Sequence, residues 1–353
     1  MSATDDNTRG PPTDAEVNED AVTDSDGAEE LTLVEAVCDG LHTEMARDDS
    51  VMVLGEDVGK NGGVFRATEA LYEEYGEQRV VDTPLAESGI VGASIGLALS
   101  GMRPVAEMQF MGFSYPAFDQ LVSHAARLRA RSRGQYSVPL VVRMPYGGGI
   151  KAPEHHSESK EAFFVHEPGL KVVVPSTPAD AKGLLTAAIR DPDPVVFLEP
   201  KLIYRAFREA VPRGSHAVPL GEAAVRREGS DVSVFTWGAM TRPALIAADN
   251  LAEEHGVDCE VVDVRTLSPL DVGTVVASFE KTGRAAVVHE APKTAGVGAE
   301  IATTIQEEAL CYQEAPIKRI AGFDAPVPLH ALEDYYLPQA VRVQDGILET
   351  VGF

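Results

Sequence analysis

The chemically suggestive residues of this chain are acids that stand where a strand gives way to a helix. In Arg79-Val-Val-Asp-Thr-Pro-Leu-Ala-Glu87-Ser-Gly-Ile-Val-Gly-Ala, a β-branched run is followed by Thr83 and Pro84, which suit a helix cap and a first helical position. Glu87 then falls in the first turn at the carboxyl end of a strand, where open α/β sheets bind their ligands. A carboxylate there can exchange a proton with a ligand; it can equally be a first-turn acid satisfying the helix dipole. Glu56 has a similar place after the run Val51–Leu54, with a solvated loop acid as the plainer reading. Phe113, within Phe110-Met-Gly-Phe113-Ser-Tyr115, offers a stacking face or a core aromatic.

Two other groups compete for attention. Glu154-His155-His156-Ser157-Glu158 follows Gly147-Gly-Gly149, but neighbouring histidines rarely aim at one ion and no carboxylate or cysteine stands at convincing spacing, so metal is disfavoured. Asp191-Pro-Asp193-Pro194 closes a helical stretch, where orphan carbonyls, the negative helix end and two aspartates would cage a monovalent cation or simply make a C-cap turn. Phosphate loops fail: Gly55-Glu-Asp-Val-Gly59-Lys60-Asn61 is one residue short of a Walker A loop and lacks its Ser or Thr, and Gly296-Val-Gly298 has no third glycine. Any phosphate must be bound by another device or another chain.

These residues need a scaffold, and the pattern supplies one. Thr32-Leu-Val-Glu35 has the capping-box spacing and opens an amphipathic helix to about residue 47. Strand-like runs at 51–54, 79–81, 104–109, 138–143, 170–174 and 195–198 alternate with helical stretches at 67–75, 85–99, 117–131 and 179–190. Such alternation predicts an α/β fold with a mostly parallel sheet flanked by helices. Periodicity is lost near 205–222, and a second α/β set follows with strands at 232–236, 259–264, 285–289 and 317–320. The expected organisation is a disordered acidic tail at 1–30, a first domain at 31–210, a linker at 211–224 and a second domain at 225–353.

The 353 residues exceed one ordinary core, and 44% apolar against 24% charged residues is globular composition. No apolar run approaches the ~20 residues of a membrane span. Lys and Arg number 30 against 55 Asp and Glu, a net charge of −25, so nucleic acid finds no basic face to bind. Of those cations 21 are Arg and 9 Lys. An acidic, lysine-poor surface predicts adaptation to a salt-rich cytosol, where molar salt confines repulsion to about 3 Å; an ordinary acidic protein is the alternative. Cys38, Cys259 and Cys311, odd in number and far apart, point to a reducing cytoplasm, and no signal-peptide pattern opens the chain.

From Thr32 to Phe353 the chain resembles the beta subunits of the thiamine-diphosphate-dependent decarboxylase component of 2-oxo acid dehydrogenase complexes. The resemblance is carried by Leu54-Gly-Glu-Asp-Val58, Gly63-Val-Phe-Arg66, Asp82-Thr-Pro-Leu-Ala-Glu87, Arg103-Pro-Val-Ala-Glu107, Phe118-Asp-Gln120, Arg143-Met-Pro-Tyr-Gly-Gly-Gly149, His156-Ser157 and Pro168-Gly-Leu-Lys-Val-Val-Val-Pro-Ser176. It implies a thiamine pyrimidine-binding domain followed by a transketolase C-terminal-like domain. It also implies that Glu87 hydrogen-bonds the pyrimidine nitrogen and favours the imino tautomer that deprotonates the thiazolium. Phe113 would contact the pyrimidine, Glu56 would be an acid near the cofactor, and His156 would face the thiazolium and substrate. Many relatives carry Gln where this chain has Glu158.

The same resemblance implies potassium bound by atoms of Leu140, Ala188, Ile189, Asp191 and Asp193. Mg²⁺ bridging the diphosphate needs Gly-Asp-Gly and a downstream Asn; Cys38-Asp-Gly40 and Gln344-Asp-Gly346 both lack the first glycine, so an alpha subunit is expected to hold that half. The expected assembly is an alpha2-beta2 heterotetramer, inactive without alpha, that decarboxylates a 2-oxo acid and passes the acyl group to lipoyl-lysine on a dihydrolipoamide acyltransferase. The second domain, with Phe353, is expected to help dock that partner. Pyruvate is the expected substrate and branched-chain 2-oxo acids the alternative. A dinucleotide oxidoreductase is disfavoured by the missing GxGxxG, and a non-catalytic assembly subunit by the presence of Glu87, Phe113 and His156.

Overall fold

The structure, a computed structural model, describes residues 27–353. Most of the expected acidic tail therefore lies outside the described residues. Its end does not match expectation: Ala28–Leu31 is a strand paired antiparallel with Glu209–Pro212, which had been expected to belong to the end of the first domain and the linker. Each segment satisfies the other's backbone groups, which no local pattern signals.

The capping box forms: Thr32 N–H donates to Glu35 Oε2 at 2.8 Å and Glu35 N–H donates to Thr32 Oγ1 at 3.5 Å. It starts the helix Leu33–Arg47, which buries Leu33, Val37, Leu41 and Met45 against the helix Pro178–Arg190.

A seven-stranded sheet runs in the order Thr266–Ser268, Lys171–Val173, Val195–Pro200, Val141–Tyr146, Arg103–Glu107, Val51–Gly55, Val80–Asp82. All its pairings are parallel except the first. Its central strands are buried on both faces, as helix-covered parallel strands are. A second sheet of five strands runs Lys318–Gly322, Ala285–Pro292, Val232–Thr236, Cys259–Asp263, Ala224–Arg227, and only the last pairing is antiparallel. The α/β architecture with two mostly parallel sheets is thus the one the alternation predicted. One detail was not: Thr266–Ser268 belongs to the second half of the chain yet completes the edge of the first sheet.

Three helices differ from expectation. The stretch 67–75 is helical only at Leu71–Tyr75. The stretch 117–131 is a 3₁₀ turn at Met111–Ala117, a wider π turn at Gln120–Ala125 and a short α-helix at Leu128–Arg131. The helix expected from residue 85 begins at Glu87, with Ala86 as its cap. Thr83 does not cap it: its N–H is bonded to Gly55 O at 2.9 Å, and its hydroxyl has no partner among the described residues. The cysteines Cys38, Cys259 and Cys311 are free. No helix among the described residues is long and apolar enough to cross a membrane.

Candidate active site

The strands Val51–Gly55 and Val80–Asp82 are parallel neighbours with Gly55 opposite Asp82, so the residues that follow them emerge side by side at one sheet edge. Glu56 follows the first and Glu87 opens the helix after the second; both are half-buried. Burial raises the Glu56 carboxyl above its ordinary value, and the negative charges of Asp57 and Glu87 raise it further. Among the described residues neither acid takes a side-chain ion pair, and the helix start leaves Glu87 near unbonded N–H groups that favour a negative charge.

Phe113 lies on the 3₁₀ turn after the strand Arg103–Glu107, on the same edge. Its ring meets the His156 ring edge-on, with centroids 5.0 Å apart and planes at 81°. Phe110 touches both, at 5.3 Å from Phe113 and 4.5 Å from His156. Contact of the two loops needs Gly112, where a Cβ would collide with the main-chain oxygen of His155. His156 Nδ1 lies 2.8 Å from Glu154 O. A carbonyl can only accept, so that bond places the proton on Nδ1 and leaves Nε2 a free acceptor. Glu158, two residues on, is paired with Lys160 at 3.2 Å, which offsets its charge.

Carboxylates without ion pairs and a half-exposed ring follow neighbouring strands at one end of the sheet, residue types suited to a flat aromatic heterocycle with a protonated ring nitrogen. Leu85, two residues before Glu87, is 72% exposed, and Val64, Tyr115 and Ile150 are also open to solvent.

At the end of the helix Pro178–Arg190, the expected potassium groups are oxygens that already have partners. Arg103 Nη1 donates to Ile189 O at 2.8 Å and to Asp191 O at 3.3 Å. Lys171 Nζ reaches Asp191 Oδ2 and Arg129 Nε reaches Asp193 Oδ1, each at 2.5 Å. Ala188 O accepts from Asp191 N–H at 3.3 Å and Leu140 O from Val195 N–H at 2.9 Å. Each carbonyl keeps a lone pair that a monovalent cation could use, but the two aspartates already face three basic side chains, so their charge is met without one. No cluster of three or more His, Cys, Asp or Glu able to hold a metal occurs among the described residues.

Sequence reasoning missed a buried group behind the site. Arg143 Nε and Nη2 donate to Glu199 Oε1 and Oε2, each at 2.7 Å, and Nη1 donates to Glu107. Tyr204 OH donates to Glu199 Oε2 at 2.5 Å. The available signal was the presence of charges inside otherwise apolar strand runs.

Residues 29–206 match the family described as transketolase, pyrimidine binding domain, and residues 221–343 the transketolase C-terminal domain. The chain is 52% identical over 324 residues to the pyruvate dehydrogenase E1 component subunit beta of Bacillus subtilis (strain 168), covering 92% of this chain and 99% of that one. It is 51% identical over 313 residues to the same-named subunit of Acholeplasma laidlawii, covering 89% and 95%. A solved split gene transketolase, described as an inactive beta4 tetramer, superposes with a TM-score of 0.74 at 22% identity over 92% of this chain and 99% of that one, a likeness of fold. With half of each sequence position shared across nearly the whole length and both domains matched in order, the chain belongs to the family of pyruvate dehydrogenase E1 component beta subunits.

Proposed function

We propose that this chain is the pyrimidine-binding half of a pyruvate dehydrogenase decarboxylase component, active as an alpha2-beta2 heterotetramer. The observation that carries the reading is the pair of unpartnered acids, Glu56 and Glu87, at the sheet edge that also presents Phe113 and His156. Bound thiamine diphosphate would supply an acidic thiazolium C–H whose conjugate base is a nucleophile toward the keto group of a 2-oxo acid.

The protein's own residues supply placement and protons. Glu87 accepts a hydrogen bond at the pyrimidine ring nitrogen and holds a proton there. Phe113 packs against the ring, and Phe110 keeps Phe113 and His156 in register. His156, with Nδ1 fixed on Glu154 O, presents Nε2 to take or give a proton at the substrate.

The finer parts of the proposal follow from the same reading. The reaction is oxidative decarboxylation of pyruvate with reductive acetylation of lipoyl-lysine on the acyltransferase. The alpha subunit holds most of the Mg²⁺ and diphosphate contacts and covers the exposed Leu85. The oxygens at Leu140, Ala188, Ile189, Asp191 and Asp193 share K⁺ with Arg103. Domain limits near residues 210 and 225, a cytoplasmic location and stabilisation by salt complete it. Pyruvate is favoured over branched-chain acids by the names of the relatives.

The test is decarboxylation by the chain co-expressed with its alpha subunit, on pyruvate and on branched-chain 2-oxo acids, at low and molar KCl, with the chain alone as control. Turnover of pyruvate by the pair alone, rising with KCl, is expected. Turnover by the isolated chain, or preference for a branched substrate, would overturn the assignment.

A further inference from the structure

The loop that carries His156 leaves the strand Val141–Tyr146 through Gly147-Gly148-Gly149 and is closed at its base by Gly147 N–H donating to Glu158 O at 2.9 Å. Its first leg is held by acids from the second half of the chain. Gly148 N–H donates to Glu290 Oε2 at 2.9 Å. Gly149 N–H and Lys151 N–H both donate to Glu333 Oε1, the latter at 3.3 Å. Lys201 Nζ donates to Gly147 O at 2.5 Å and stands 5.6 Å from the centre of the Phe110 ring, which itself touches His156. Gly147 is required: its φ of 81° is left-handed, and a Cβ there would collide with the Glu290 carboxylate.

Both acids are buried, Glu290 at 4% exposure and Glu333 at 0%. A buried carboxylate has to be compensated, yet Glu333 Oε2 has no partner among the described residues. Lys201 faces Glu290, Glu333 and Glu158, but its own burial pushes its amine toward the neutral form. Main-chain N–H groups of the loop therefore supply much of what these acids need. Successive N–H groups turned toward one point form a concavity that elsewhere holds anions, and here it holds side chains. The dependence is mutual: the acids keep the loop in one conformation, and the loop keeps the acids satisfied.

We infer that Glu290 and Glu333 are positioning residues for His156, clamping its loop from the other domain so that Nε2 stays at the reacting centre. The inference rests on the proposed role of His156 and deepens it. Glu333 is the cleaner probe, because it lies on the short helix Glu333–Tyr336, whereas Glu290 lies within the strand Ala285–Pro292, which is paired on both sides.

The experiment compares wild type, Glu333→Ala, Glu333→Gln and His156→Ala, each assembled with the alpha subunit, by steady-state kinetics and by hydrogen–deuterium exchange of residues 147–156. Glu333→Ala is expected to speed exchange in that segment about tenfold, by freeing its local opening from the clamp. It should also lower kcat on the order of 10²-fold with KM within about twofold, the cost of a misplaced catalytic group. Glu333→Gln keeps an acceptor oxygen and should restore most of both. If Glu333→Ala does not assemble, Glu333→Asp, one methylene shorter, is read the same way. Unchanged exchange in the loop, or exchange raised equally across the whole second domain, overturns the clamp. Full turnover by His156→Ala would instead remove the role of His156, and the exchange data would still decide the clamp.

Discussion

Two groups of acids on the same sheet behave in opposite ways. Glu107 and Glu199 lie inside, with Glu107 opposite Arg143 in register and both carboxylates bonded to its guanidinium. Burial pushes the Glu107 carboxyl up while Arg143 pulls it down. Burial likewise opposes the charge on Arg143, but Glu199 and Glu107 overcome it and hold the guanidinium above its usual value. Glu56, at a strand end, has the negative charges of Asp57 and Glu87 beside it and no guanidinium among the charges that shift it. Compensated charge inside the sheet holds strands together; uncompensated charge at its edge is what remains available to a ligand.

That contrast can be broken from either side. Glu87→Gln removes only the capacity to exchange a proton, so turnover of the complex should fall by about 10²–10⁴-fold. Its unfolding free energy should stay within about 0.5 kcal/mol of wild type, as for a surface change. Loss of stability comparable to an interior change would show that Glu87 belongs with the structural acids. Arg143→Met does the reverse: it strands two carboxylates in the interior, and urea unfolding should show a loss of about 3–5 kcal/mol. A variant as stable as wild type would mean that the triad is not what secures those strands.

Glu161 sharpens the comparison, being fully buried with burial as the dominant influence on its carboxyl. Burial, with a smaller push from Glu290, raises its carboxyl to about 7. The folded chain then binds this proton more tightly than the unfolded one does. Its stabilising contribution is present below the ordinary carboxyl range near pH 4.5 and is lost as pH rises through about 7. Glu161→Gln should therefore gain on the order of 2 kcal/mol over wild type at pH 8, and the gain should vanish near pH 4. A difference that does not vary with pH would contradict it.

Much of the scaffold was legible because its signals are local. Thr32 and Glu35 announce a helix start by side-chain chemistry alone, and β-branched runs separated by helical periodicity give the parallel sheet. The departures come from partners distant in sequence. Thr83 and Pro84 have the right types to open a helix, but Thr83 is bonded to Gly55 O of the sheet and the helix opens at Glu87. Ala28–Leu31 and Glu209–Pro212 become strands only through each other. The π turn at Gln120–Ala125 keeps a helical pattern of residue types while changing the bonding. At the site, residue types and family motifs singled out Phe113 and His156, and the structure brings their rings together. The roles of Arg143, Glu290 and Glu333 were not readable, since a lone charge in an apolar run does not name its counterpart.

The short strand Thr266–Ser268, lent by one half of the chain to the sheet of the other, makes hinge-like separation of the halves costly, for it would unzip a backbone ladder. A gene cut between the halves would leave Lys171–Val173 as a bare sheet border, an invitation to self-association.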